Sequence, residues 1–221
     1  MSVRIDGDGN DGGHRMVEVG ADGWWPPAVR YDSPNFDSRP DPADISLLVI
    51  HNISLPAGCF GGPHVSDLFT GRVDYNVDPS LADLRGLKVS SHFFIRRDGR
   101  VIQYVSANDR AWHAGRSAFR GREKCNDYSI GIELEGTDDT PFEAPQYRAL
   151  AALTEALRRR YPLTDVQGHE DIAPGRKTDP GPLFDWQLYV KSWRTFFKGT
   201  PIAGQGLVGA TAVLRFVKGL P

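Results

Sequence analysis

At 221 residues the chain is long enough for one well-packed domain, with little left over for a second. A hydrophobic fraction of 40% and a formal net charge of −2 are ordinary, and they exclude the strongly basic footprint of a nucleic-acid binder. No apolar run approaches the ~20 residues that span a bilayer, and the N-terminus lacks the charged head and apolar core of a signal peptide. With only Cys59 and Cys125 a disulfide framework is absent and both thiols are expected to be reduced. The expectation is a cytoplasmic monomer with no nucleic-acid and no membrane partner.

Residues 1–23 are rich in Gly and Asp and poor in large apolar groups, which predicts a flexible extension. Residues 24–44 are Pro-rich and carry Trp24, Trp25 and Tyr31, the makeup of an extended segment laid over a core. The apolar run Ile45-Ser46-Leu47-Leu48-Val49-Ile50 predicts the first strand, ending at His51. His64 falls at a helix start. A strand over 91–97 turns at Asp98-Gly99 into another over 100–105, because an Asp-Gly pair between apolar runs is a strong hairpin signal. Residues 106–126 read as a loop segment.

A further strand covers 129–135, with Ile130, Ile132 and Leu134 on one face and Gly131, Glu133 and Glu135 on the other. A helix starts near Pro145, where Pro suits the first turn, and Pro162 stops it. Its apolar stripe is Leu150, Leu153, Leu157 and Tyr161. A short strand over 165–168 delivers His169. A last helix starts near Asp185, a plausible N-cap, with Trp186, Tyr189, Val190, Trp193, Phe196 and Phe197 on one face. Residues 199–221 are mildly apolar, and a packed extension or an interaction element are both open. The order of elements implies one α/β domain over 24–198, a mixed central sheet flanked by helices with the site at strand ends and loops.

The segment Gly168-His169-Glu170-Asp171-Ile172-Ala173-Pro174-Gly175-Arg176-Lys177-Thr178-Asp179-Pro180-Gly181 carries the chemistry. It sets a His, a Lys and an Asp on a strand exit and a Pro/Gly-stiffened loop, where catalytic groups are often found. Two His (His51 and His169) and one Asp (Asp179), with a fourth position left for water, make the donor pattern of a catalytic zinc. Glu133 and Glu135 share a face, and alternation does not choose between them as an acid/base. His92 alternates with apolar residues and reads as a hydrogen-bonded core His, while His14 and His64 receive no role.

The segments Val49-Ile50-His51-Asn52-Ile53-Ser54-Leu55-Pro56, Ser90-Ser91-His92-Phe93-Phe94-Ile95-Arg96-Arg97-Asp98-Gly99, Ala111-Trp112-His113-Ala114-Gly115 and Cys125-Asn126-Asp127-Tyr128-Ser129-Ile130-Gly131-Ile132-Glu133-Leu134-Glu135-Gly136, with the 168–181 loop, resemble the AmpD-type N-acetylmuramoyl-L-alanine amidases. They fall in that family's order and span about Trp24 to Phe197. The fold is shared more distantly with phage-type amidases and peptidoglycan recognition proteins.

The resemblance implies one zinc per chain on His51, His169 and Asp179, Glu133 as general acid/base, and Lys177 steadying the tetrahedral intermediate. Asn52, Lys88, Trp112, His113 and Lys124 fall where substrate contacts are expected. Lys88 and Lys124 stand where better-known members carry Arg, which keeps the charge and loses the planar fork for carboxylates. The implied substrate is 1,6-anhydro-muropeptide, cut between N-acetylmuramic acid and L-Ala, in cell-wall recycling and in control of the muropeptide signal that induces β-lactamase. An exported wall-lytic amidase would call for an export signal or wall-binding domain. A non-catalytic muropeptide-binding module would typically have lost a metal ligand.

Overall fold

The computed structural model describes residues 17–197 and 214–216. In chain order the elements are β1 (Val29–Arg30), β2 (Phe36–Asp37), β3 (Leu47–Ile53), α1 (His64–Phe69), β4 (Phe93–Ile95), β5 (Val101–Gln103), β6 (Arg110–Ala111), β7 (Ala118–Phe119) and β8 (Arg122–Glu123). They continue with β9 (Ser129–Glu135), α2 (Ala144–Arg160), β10 (Asp165–Gly168), α3 (His169–Ile172), α4 (Trp186–Phe197) and β11 (Arg215–Phe216). The main sheet is seven-stranded, in the order β1-β5-β4-β9-β3-β10-β11. Only the β4–β5 hairpin pair is antiparallel within it. This is the mixed α/β sheet expected from the sequence.

Alternation along β3 and β9 divides the two faces. Leu48, Ile50, Ile130, Ile132 and Leu134 pack in one cluster with Leu150, Leu153 and Leu157 of α2 and Tyr189 and Trp193 of α4. On the other face Leu47 and Val49 meet Cys125, Tyr128 and Ile172. Phe94, Ile102 and Tyr104 meet Val65, Leu68 and Phe69 of α1 there. His51, Glu133 and Glu135 therefore project from the face opposite the α2–α4 layer.

The helix ends follow their local chemistry. At the start of α2 the Gln146 side chain accepts from Glu143 N at 2.9 Å, half of a capping box, and Pro145 lies in the first turn. Asp185 Oδ1 accepts from Leu188 N at 2.8 Å and caps α4. The Asp98-Gly99 turn joins β4 to β5, with Gly99 at φ 86°.

Three expectations change in detail. The strands at 91–97 and 100–105 shrink to their three-residue centres, and His92 precedes β4. The boundary drawn at residue 24 falls inside packed structure. Val19 is buried in the core, Trp25 Nε1 donates to Val17 O at 2.9 Å, and Gly23 O accepts from Ala107 N at 3.0 Å and Gln103 Nε2 at 2.8 Å. The Gly and Asp residues of 20–23 shape turns onto the domain, and residues 1–16 lie outside the described residues. In the C-terminal segment, β11 pairs with β10 and buries Leu214 and Phe216 against Tyr189 and Trp193, so this part is packed extension.

Candidate active site

His51 and His169 lie 118 positions apart in sequence, and one register brings them together. Parallel strands β3 and β10 pair Ile50 with Gly168, so the next residue of each emerges at the same sheet edge. Asp179 reaches them from the loop after α3. That loop is tied back by Asp179 O, which accepts from Glu170 N at 2.8 Å, and by Pro180 O, which accepts from Asn52 Nδ2 at 3.0 Å. Gly168 permits the closure: a Cβ there would stand 2.9 Å from Pro180 Cδ.

His51 Nδ1, His169 Nδ1 and Asp179 Oδ2 form a triangle with every side 3.0 Å. The other ring nitrogen of each His is engaged. His169 Nε2 lies 3.0 Å from Ala114 O, a pure acceptor, so that nitrogen carries the proton and Nδ1 presents a lone pair. His51 Nε2 lies 3.0 Å from His113 Nδ1, and a proton shared there frees His51 Nδ1 in the same way. Burial pushes the His51 imidazole down to about 4, so it is neutral at neutral pH. Lone pairs and a carboxylate oxygen converging at this distance are stabilised by a shared cation. An N2O donor set with each His oriented by an outer partner fits a divalent metal ion.

Glu133 is paired in register with His51 across β3 and β9. Its Oε2 is buried and has no hydrogen-bond partner among the described residues. Burial pushes its carboxyl well above the usual range, the Asp179 charge adds to this, and the Lys177 charge opposes it. Glu135 differs sharply. Both of its oxygens are occupied, Oε1 accepting from Gly61 N at 2.6 Å and Oε2 from Arg97 N at 3.1 Å. The two carboxylates that alternation left equivalent are thus separated by their hydrogen bonds.

Arg176 and Lys177 separate too. Arg176 Nη2 donates to Ala114 O at 2.7 Å and Arg116 O at 2.8 Å, fastening the loop that supports His169. The Lys177 side chain is exposed, and its charge is felt at both Glu133 and His51. Asn52 spends its amide hydrogens on Asp138 Oδ1 at 2.7 Å and on Pro180 O. His113 turns its ring nitrogens to His51 and to Ser129 Oγ at 3.3 Å, so it supports a neighbour rather than offering a free donor. Trp112 is half-buried, and its indole Nε1 has no partner among the described residues. Lys88 and Lys124 are exposed and have no carboxylate partner among the described residues. Lys124 sits at φ 57°, fixing its direction on the loop.

Two contributors escape sequence reasoning. Gly131 accommodates the His113 ring, and a glycine inside a strand is a signal for such close approach. Arg39 is buried and donates to the carbonyls of Asn126, Asp127, Ala107 and Ser129 at 2.8–3.3 Å, clamping the chain that leads into β9. Desolvation lowers its guanidinium to about 10. His92 is a core His as expected, its Nδ1 accepting from Gly131 N at 3.0 Å.

The site joins an N2O donor triangle that fits a divalent metal ion, a buried carboxyl and a flanking cation, the groups that a metal-dependent hydrolase uses. Residues 41–182 match the model of the N-acetylmuramoyl-L-alanine amidase family, and the chain belongs to that family. Its similarity to the 1,6-anhydro-N-acetylmuramyl-L-alanine amidase AmpD of Citrobacter freundii is 56% identity, over 76% of this chain and 91% of that one. The crystal structure of a selenomethionine derivative of AmpD superposes with a TM-score of 0.76 at 54% identity, covering 77% of this chain and 97% of that chain. The Escherichia coli amidase AmiD was solved in complex with anhydro-N-acetylmuramic acid-L-Ala-D-γ-Glu-L-Lys. It matches at 36% identity with a TM-score of 0.50, over 67% of this chain and 57% of that chain.

Proposed function

We propose that the chain cleaves the amide between the lactyl group of 1,6-anhydro-N-acetylmuramic acid and L-Ala of the stem peptide, with one zinc ion held by His51, His169 and Asp179. The reading is carried by the 3.0 Å triangle of Nδ1, Nδ1 and Oδ2 beside the unpartnered Glu133 Oε2. Zinc bound there supplies a Lewis acid and brings the pKa of a bound water toward ~7.

Glu133 accepts the proton of the attacking water and returns it to the departing amine, which otherwise leaves poorly. Burial raises the proton affinity of this carboxyl and a zinc ion beside it would lower it, so the two oppose each other at the group that must both take up and give back a proton. Lys177 places its charge toward the oxygen that becomes negative, on the exposed side of the cleft. His113 orients His51, the Ala114 carbonyl orients His169, and Asn52 orients the 179–181 loop. Trp112 offers its half-buried indole ring to the substrate, and Lys88 and Lys124 meet carboxylates of the stem peptide. Charge reversal at either Lys should raise KM more than it lowers kcat, and an unchanged KM in both variants would exclude them from binding.

The biological setting that fits is cytoplasmic recycling of anhydro-muropeptides by a monomer, with the same cleavage removing the muropeptide that signals for β-lactamase induction. No helix among the described residues is long and apolar enough to cross a membrane. Purified protein incubated with anhydro-muropeptide should release free peptide and the anhydro sugar, detected by mass. Release from intact sacculi with none from anhydro-muropeptide would overturn the substrate assignment.

A further inference from the structure

Glu135 is a buried carboxylate that the proposed chemistry does not use, only 4% exposed. Burying a carboxylate is unfavourable unless it is well hydrogen-bonded, and here each oxygen has its own backbone donor. Oε1 accepts from Gly61 N at 2.6 Å and Oε2 from Arg97 N at 3.1 Å, with Arg96 Nη2 3.6 Å from Oε1. Glu135 thereby bridges the end of β4 and the loop that follows β3 through two backbone amides.

That loop, residues 54–62, leaves β3 just past His51. Its internal ties are local: Gly58 N donates to Ser54 Oγ at 2.9 Å and Cys59 N to Pro56 O at 2.9 Å. Gly58 and Gly61 hold φ of 78° and 80°, and a Cβ on either would meet nothing within 4 Å, so these two turns stand clear of the core. Leu55 packs against the Phe94 and Ile102 cluster near the start of the loop, and the polar ties to the sheet gather at its far end. There Glu135 holds Gly61 N, Arg96 Nη2 donates to Gly62 O at 2.5 Å, and the Arg97 guanidinium lies 4.6 Å from the Phe60 ring. Glu135 stands two residues beyond Glu133 on the same face, a step of about 7 Å along a strand.

We propose that Glu135 is a positioning residue that fixes the 54–62 loop as a wall of the cleft beside Glu133, so that it governs substrate binding rather than the chemical step. The inference rests on Glu133 marking the reaction centre, as in the proposed function.

Glu135→Ala and Glu135→Gln are compared with wild type for zinc content, kcat and KM on anhydro-muropeptide. A fluorophore on Cys59, which is exposed in this loop while Cys125 is buried, reports loop motion by anisotropy. Glu135→Ala should keep its zinc and a kcat within about threefold of wild type while KM rises at least about tenfold, the signature of lost binding common to ground and transition states. Anisotropy at Cys59 should fall. Glu135→Gln, which keeps one acceptor, should show the same changes to a smaller degree.

An unchanged KM in an active, folded variant would overturn the proposal. So would a kcat loss of about a hundredfold at unchanged KM, which would make Glu135 part of the chemistry. Should Glu135→Ala fail to fold, Glu135→Gln decides by the same two readings. A wild-type protein inactive on anhydro-muropeptide would instead sink the functional reading. The Cys59 anisotropy of Glu135→Gln would then still test the loop tether, and an unchanged value would refute it.

Discussion

Gly131 of β9 and His113 of the preceding loop occupy a single space: a Cβ built on Gly131 would stand 2.4 Å from His113 Cγ. A side-chain-free position in the middle of a buried strand is unfavourable by itself, so its place here reflects the ring it admits. That ring sets His113 Nδ1 against His51 Nε2 at 3.0 Å. Gly131→Ala should therefore displace His113 and weaken metal binding by about 10- to 100-fold, the usual cost of losing an outer partner of a ligand. Chelator competition measures it. Unaltered zinc affinity and activity in the folded variant would show that His51 is oriented without His113.

The zinc and acid/base roles proposed for these residues are separable by experiment. His51→Ala and His169→Ala should lose zinc, as elemental analysis would report, because each removes one corner of the donor triangle. Glu133→Gln should keep full zinc and lose at least the ~10²-fold that a general acid/base contributes. Full zinc occupancy in either His variant would refute the ligand set. Near-normal turnover in Glu133→Gln would move the proton-transfer role elsewhere.

What the sequence made legible follows from periodicity. The β3 and β9 runs, the Asp98-Gly99 hairpin and the apolar stripe of α2 repeat over enough residues to declare their type. The two-residue strands β1, β2, β6, β7, β8 and β11 do not, because two residues hold no period. The proposed ligand residues could be named, yet their meeting depends on the β3–β10 register, which pairs residues more than a hundred positions apart. Glu133 and Glu135 looked alike because alternation fixes a face and says nothing of partners; Gly61 N and Arg97 N make the difference. Residues 17–23 were misread because Gly and Asp signal flexibility in composition but also build tight turns.

Those residues give a stability test. A chain starting at Trp24 loses the buried Val19 side chain and the carbonyls that Gln103, Ser106, Ala107 and Asn108 bind at Gly23, Asp22 and Ala21. Burial of a Val contributes about 1.5–3 kcal/mol and each of the four hydrogen bonds roughly 1 kcal/mol, so a loss of about 5–7 kcal/mol is expected. Tm should drop by at least about 5 °C relative to a chain starting at Val17. Equal melting temperatures for the two chains would return the boundary to residue 24.

Glu155 ties α2 to α4 and sets an acid limit on stability. It is 1% exposed, and its oxygens accept from Arg158 Nε and Nη2 at 2.9 Å, Arg159 Nε at 3.0 Å and Trp193 Nε1 at 3.2 Å. Burial alone would raise its pKa, but the hydrogen bonds and charges of Arg158 and Arg159 outweigh it and hold the carboxyl below its ordinary value. A carboxylate depressed in the folded state stabilises at pH above its unfolded value near ~4.3, and that contribution fades as pH falls through the folded value. Glu155→Ala should cost about 3 kcal/mol at neutral pH, the low end for breaking a buried ion pair because both Arg side chains keep some access to water. That corresponds to a Tm lower by roughly 6–12 °C. Measured by chemical denaturation from pH 7 to pH 3, the gap between wild type and Glu155→Ala should narrow below about pH 4. A constant gap across that range would mean that Glu155 acts through packing and not through its charge.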